Sequence, residues 1–199
     1  MALFIKGWQG GSLKGSNLPS GFTQLSYIES TGTQYIDTEF KANNNTRVIV
    51  DVQYMGSASN QIIFGARTAA ASKNYSLLAT VGNYRSDYNT EYSQNFPVNG
   101  SERYVIDKNK ETTTIDGTTQ SYTNASFQCD YALCLFALNN AGTVQWYSRT
   151  RMYSCRIYDN GTLVRDFIPC QNAEGTVGLY DMVGKEFYGN AGTGTFIGV

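Results

Sequence analysis

The sequence predicts an all-β protein, two antiparallel sheets packed as a jelly-roll sandwich, and three observations carry that expectation. Tyr 15, Phe 10 and recurring Thr and Val enrich the chain in strand formers. Short alternating apolar/polar segments follow one another with turn signals between them. No stretch sustains a 3.6-residue apolar period, so at most one short helical turn is expected. At 199 residues the chain fits one sandwich and can bury a core without disulfide or metal support.

Residues 1–21 differ from the rest. With Gly-Gly, Ser and a closing Pro-Ser-Gly they read as a flexible arm with an apolar tip. Phe4, Ile5 and Trp8 are the assembly candidates on it: they dock on a partner or neighbouring copy, or fold back on their own domain. The jelly-roll domain then spans 22–199. Predicted strands are 34–40, 47–54, 61–66 and 75–81, with Gly82-Asn83 turning the chain into 84–88. Strand 103–107 precedes a hairpin over 112–120, whose Asp116-Gly117 suits positive φ at both turn positions. The nearly all-apolar Tyr131–Ala137 is expected as one strand buried on both faces. A second hairpin pairs 149–158 with 163–168 across Asp159-Asn160-Gly161-Thr162, and 177–180, 185–188 and 194–198 close the chain. The segments from Gly32 and from Gly194 echo one another and are expected to lie side by side.

Charge and composition exclude several classes. A net charge of −1 with 16% charged residues gives no basic patch for nucleic acid. Arg149, Arg151 and Arg156 are the nearest approach to one, and they fall where a sheet would turn them to solvent. No stretch approaches the ~18 apolar residues of a membrane span. The N-terminus, interrupted by Lys6 and Gly7, is not read as a signal peptide. The four cysteines, Cys129, Cys134, Cys155 and Cys170, lack metal spacing and are expected as buried free thiols, a Cys155–Cys170 bridge being the alternative.

Chemistry is tested residue by residue. The chain has no histidine, which removes Ser-His-Asp and Cys-His arrangements. No strand carries the two or three alternating carboxylates of a glycoside hydrolase. Asp87 and Glu91, four apart on one strand face, would stand ~13 Å apart, against the ~5–5.5 Å of a retaining pair. No enzyme activity is expected. Calcium would need converging oxygens; Asp159, Asn160, Asp166 and Asp181 are available, turn formation accounts for the first two, and no cofactor is predicted. The segment 83–96 is the recognition candidate. Tyr84, Tyr88, Tyr92 and Phe96 repeat every four residues, which on one strand places them on one face. With Arg85 and Asp87 beside them, Tyr84, Tyr88 and Tyr92 suit contact with a glycan or a protein. The competing reading puts Tyr84 and Tyr88 in the core and leaves Tyr92 on a surface loop.

Four stretches carry a family resemblance: Leu25–Thr38, Arg103–Lys110, Cys155–Phe167, and Gly178–Asp181 with Phe187–Thr195. They resemble the concanavalin A-like, laminin-G-like jelly rolls of phage and prophage structural proteins and of surface proteins in Gram-positive gut bacteria. The resemblance covers residues 22–199. It implies a virion structural protein (capsid decoration, head fibre or tail component) that assembles in the host cytoplasm with other virion proteins or copies of itself. The alternative it implies is a carbohydrate- or receptor-binding module with a host-surface glycan as partner. The fold alone specifies no activity.

Overall fold

The structure is a computed structural model that describes residues 18–199 apart from 59, 70, 71, 81 and 99–101; the side chains of residues 92–94 also lie outside it. Among the described residues there is no helix. The chain opens with three two-residue strands, β1 (Thr23–Gln24), β2 (Ile28–Glu29) and β3 (Ile36–Asp37). Five longer ones follow: β4 (Thr46–Tyr54), β5 (Gln61–Arg67), β6 (Asn74–Thr80), β7 (Asn83–Asn89) and β8 (Glu91–Pro97). The first hairpin unit is β9 (Arg103–Asn109), β10 (Thr112–Ile115) and β11 (Thr118–Ser121). Then come β12 (Cys134–Leu135), β13 (Leu138–Asn140), β14 (Thr143–Gln145), β15 (Thr150–Asp159) and β16 (Thr162–Gln171). The last are β17 (Val177–Asp181), β18 (Glu186–Tyr188) and β19 (Ile197–Gly198).

These strands form two sheets packed face to face. The larger, eleven-stranded one runs β11-β10-β9-β4-β15-β16-β17-β18, with β1, β2 and β19 attached to its edge and middle. The smaller, eight-stranded one runs β14-β13-β5-β6-β7-β8, with β12 and β3 beside β5. Strand β4 shows why the layers form. Thr46, Val48, Val50, Val52 and Tyr54 are buried and the residues between them are not, so period-two alternation alone assigns its inner face. The core joins those valines to Phe64, Tyr75, Leu77, Tyr84, Tyr88 and Phe96 of the smaller sheet.

Both predicted hairpin turns are present. Asp116 and Gly117 take φ 49° and 74°, and Asn160 and Gly161 take 47° and 82°, the doubly positive geometry a two-residue turn requires. The segment 27–35 also meets the C-terminal one, as expected of the two echoing stretches. One antiparallel register runs through Ala191/Tyr35, Thr193/Thr33, Ile197/Glu29, Gly198/Ile28 and Val199/Tyr27. Its ladder strands are β2 and β19, a few residues from the matching segments.

Three expectations are corrected. The strand 34–40 shrinks to Ile36–Asp37, because polar side chains on either side capture the backbone. The Gln34 side chain accepts from Thr31 N at 2.8 Å, and the Thr38 hydroxyl donates to the Leu133 carbonyl at 2.7 Å. Tyr131–Ala137 is not one strand. Leu133–Leu138 is buried throughout, but the chain reverses at Phe136 (φ 67°), so β12 runs antiparallel and β13 parallel to β5. Phe136 keeps both backbone groups bonded there, its N–H to Ile63 and its carbonyl to Ser148 N–H, each at 2.7 Å. Finally, 83–96 is a hairpin and not one strand face with a loop after it. Asn89 (φ 51°) turns the chain, and β8 returns with Phe96 opposite Tyr84 and Glu91 opposite Tyr88.

All four cysteines are free and buried. Cys155 pairs with Phe167, three residues from Cys170, which puts the two sulfurs' backbones ~10 Å apart at the usual strand rise, beyond disulfide reach. Burial pushes the thiols of Cys129 and Cys134 up to about 12 and that of Cys170 up to about 11, and raises Cys155 as well. A disulfide reagent at neutral pH is therefore expected to find no fast-reacting thiol in the folded protein. After denaturation without reductant it should count four; a count of two would show a bridge.

Candidate functional site

Alternation along β5, β6 and β7 sorts their residues onto two faces. Phe64, Ala66, Tyr75, Leu77, Ala79, Tyr84 and Tyr88 join the core. Their neighbours, Gly65, Arg67, Asn74, Ser76, Leu78, Arg85, Asp87 and Asn89, therefore point away from the larger sheet. The register stacks them in rows across the strands. Asn74 lies opposite Asn89, Ser76 opposite Asp87 and Leu78 opposite Arg85. On the other side of β6, Ser76 lies opposite Gly65, so Arg67 falls beside Asn74, and β13 sets Asn140 next to Arg67.

This outward face is internally braced and largely covered: Asn74, Ser76 and Asp87 are buried, as is the apolar cluster of Ile62, Leu78 and Leu138 beside them. Asp87 is 2% exposed and holds Arg85 through both carboxylate oxygens, at 3.0 and 3.1 Å. The Asn74 amide and the Ser76 hydroxyl donate to the same carboxylate at 3.4 and 3.5 Å. At the other end of the face Arg67 donates from Nε to Asn140 Oδ1 at 2.6 Å and lies over the Trp146 ring, 4.8 Å from its centroid. The buried carboxylate thus pins a guanidinium whose side chain is 30% exposed, while Asn74 and Ser76 beneath it are buried.

The predicted recognition residues divide between the two faces. Arg85 and Asp87 come together here. Tyr84 and Tyr88 are core residues: the Tyr88 ring meets those of Phe127 at 5.0 Å and Tyr122 at 5.7 Å, and Tyr84 meets Tyr104 edge-on at 6.0 Å. With no exposed ring face, neither can stack on a ligand. The Tyr92 side chain lies outside the described ones, as do Phe4, Ile5 and Trp8. Asn74, Ser76, Arg67, Asn140 and Trp146 were missed. Asn74-x-Ser76 and Arg85-x-Asp87 do share a strand period, but nothing local says that the two strands pair in a register that brings them together.

A second polar cluster sits between the sheets. Lys108 alternates inward with Tyr104 and Ile106 and is fully buried. Its ammonium donates to Ser86 Oγ at 2.7 Å, and that hydroxyl shares a 2.8 Å bond with Thr113. The rings of Tyr75, Tyr122 and Tyr88 surround it at 4.6, 5.1 and 5.7 Å. Tyr75 and Tyr122 tie in the backbone, donating to the Lys108 and Ser86 carbonyls. Burial lowers the Lys108 amine to about 7, with the Asp87 carboxylate opposing the shift. A serine hydroxyl beside an amine near neutrality is the geometry of an activated nucleophile, an arrangement that excluding histidine does not exclude. Here both groups are enclosed at 0% exposure, so a substrate has no approach to the hydroxyl.

Of the oxygens available for calcium, two have structural duties. Asp159 accepts from the Asn43 amide at 2.9 Å, and Asp181 accepts the N–H groups of Asp166, Val183 and Gly184 at 2.8, 3.0 and 3.1 Å. Among the described residues no three acidic or cysteine side chains converge as a metal cluster.

A scan of protein-family models finds no match to the chain, and no curated protein matches it.

Proposed function

We propose that this chain is a non-enzymatic structural component of a phage particle, a capsid decoration, head-fibre or tail piece. It displays a lectin-like sandwich and joins its assembly through residues 1–21. The observation that carries the assembly part is how the sandwich closes. Among the described residues the first strand starts at Thr23, Phe22 rests on Tyr180 and Phe187 at 4.9 and 5.7 Å, and the last nine residues run back along Tyr27–Tyr35. Both sheets are thereby joined within the described residues from Phe22 onward, and on that ground Phe4, Ile5 and Trp8 are assigned to a partner. The four stretches that resemble phage jelly rolls support the setting.

Deleting residues 1–18 is expected to leave a folded β protein by circular dichroism that no longer co-purifies with particles. Normal incorporation of the truncated protein would remove the arm as anchor, and unfolding would make it part of the core. A second reading, a glycan- or receptor-binding module on a virion or bacterial surface, is favoured by the partly exposed Arg85 guanidinium that the buried Asp87 holds in place. Mass spectrometry of purified particles separates a virion protein, present in them, from a bacterial-surface module, absent from them; on a virion the two readings overlap.

A further inference from the structure

We propose that the rim of the smaller sheet carries a saccharide site built from Trp146, Arg67 and Asn140, and that it takes a carboxylated sugar. Trp146 follows the edge strand β14 with φ 55°, a region that costs a bulky residue energy and that persists only where the surroundings impose it. The imposition is visible. The Trp146 carbonyl accepts from Ile62 N–H at 2.9 Å, and Tyr147 bridges to Ile62 in the next step. The strained backbone turns a large indole outward, 41% exposed, where a residue with only a packing role would be covered.

Arg67 supplies the charge. Its Nε edge is held by Asn140 and its plane lies over the indole, so the guanidinium is positioned. Its two terminal nitrogens carry no hydrogen bond or ion pair among the described residues, in contrast to Arg85 on the same face, which Asp87 neutralises. A fixed fork with a free edge matches a carboxylate bidentately. The guanidinium covers one face of the indole, and the rest of this 41% exposed ring offers an apolar surface for the C–H face of one sugar unit while a neighbouring unit's carboxylate reaches the fork. The Asn140 amide nitrogen, also without a partner among the described residues, offers a donor to a hydroxyl. Exposed indole, unneutralised fork stacked on it and amide together fit a short uronic-acid-type oligosaccharide better than a neutral sugar, which leaves the fork idle, or an acidic peptide, which leaves the indole idle.

The site is testable on the isolated protein, whether or not the particle reading holds. Trigalacturonate titrated into the protein is expected to shift one indole N–H resonance, identified by its loss in Trp146→Phe, with affinity that falls as salt is added. Arg67→Ala should weaken binding at least about tenfold and Trp146→Ala should abolish it, with circular dichroism unchanged in both. Arg67→Lys, which keeps the charge and loses the fork, should fall between. Equal binding of neutral maltotriose, tighter binding of triglutamate, an unaffected Arg67→Ala, or no shift at millimolar trigalacturonate would each overturn the proposal. Loss of particle incorporation in the truncated chain would leave it untouched.

Discussion

Denaturant unfolding between about pH 6 and 9 is expected to give a stability that climbs with pH in the native protein and stays nearly level in a Lys108→Met variant. The cause is the ammonium between the sheets. In the unfolded chain Lys108 titrates at its ordinary 10.5; in the fold, burial brings it to about 7. Between those values the unfolded amine binds more protons than the folded one, so its contribution to stability rises with pH there. Below about pH 7 both states carry the proton and the full penalty applies. Each unit of difference corresponds to ~1.4 kcal/mol, so the native protein loses on the order of 2–3 kcal/mol on going from about pH 9 to about pH 7. The gain ends near pH 9, where the thiols take over: burial raises Cys129, Cys134, Cys155 and Cys170, so their stabilising protonation is lost above that point, and that of the buried Tyr75, Tyr84 and Tyr88 is lost above about pH 10. Methionine fills the same Tyr75, Tyr88 and Tyr122 enclosure without a charge, and Ser86 keeps Thr113 as its partner. The variant should therefore exceed the native protein by ~1–4 kcal/mol near neutrality. A native protein with a flat pH profile, or a less stable Lys108→Met, would show that the charged amine holds the sheets together and does not strain them.

Tyr88→Ala is expected to cost ~3–5 kcal/mol, a fall in melting temperature on the order of 10 °C for a domain of this size. Tyr88 is fully buried, its ring lies among Tyr75, Tyr122 and Phe127, and its hydroxyl donates to the Ala125 carbonyl at 3.3 Å. Truncation would also remove one wall of the Lys108 enclosure, so the loss should be larger at pH 7 than in Lys108→Met, where the amine is gone. Calorimetry on Tyr88→Ala, alone and combined with Lys108→Met, measures that coupling. A melting temperature within about 2 °C of native would place this ring outside the core and return it to the recognition surface.

The Tyr-rich segment shows where sequence reasoning was ambiguous. A four-residue aromatic repeat is compatible with one long strand face, and it is equally compatible with two short strands whose inward positions happen to continue the count. The turn at Asn89 decides for the second, because a positive φ there reverses the chain. Phe136 deceived in a similar way: an unbroken apolar run reports burial, and a buried reversal is as apolar as a buried strand.

What the sequence determined by itself was local. Alternation assigned the inward and outward faces of β4, and the same rule places Lys108 inward with Tyr104 and Ile106. Asp116-Gly117 and Asn160-Gly161 made their hairpins wherever those hairpins were to sit, because each turn depends on its own φ and ψ alone. The tertiary structure decided which strands became neighbours. β4 lies between β9 and β15, and Arg67 of β5 meets Asn140 of β13, 73 residues later. Partners so far apart are selected by how two whole sheets bury their inner faces together, a property of the assembled surfaces that no short stretch of sequence contains.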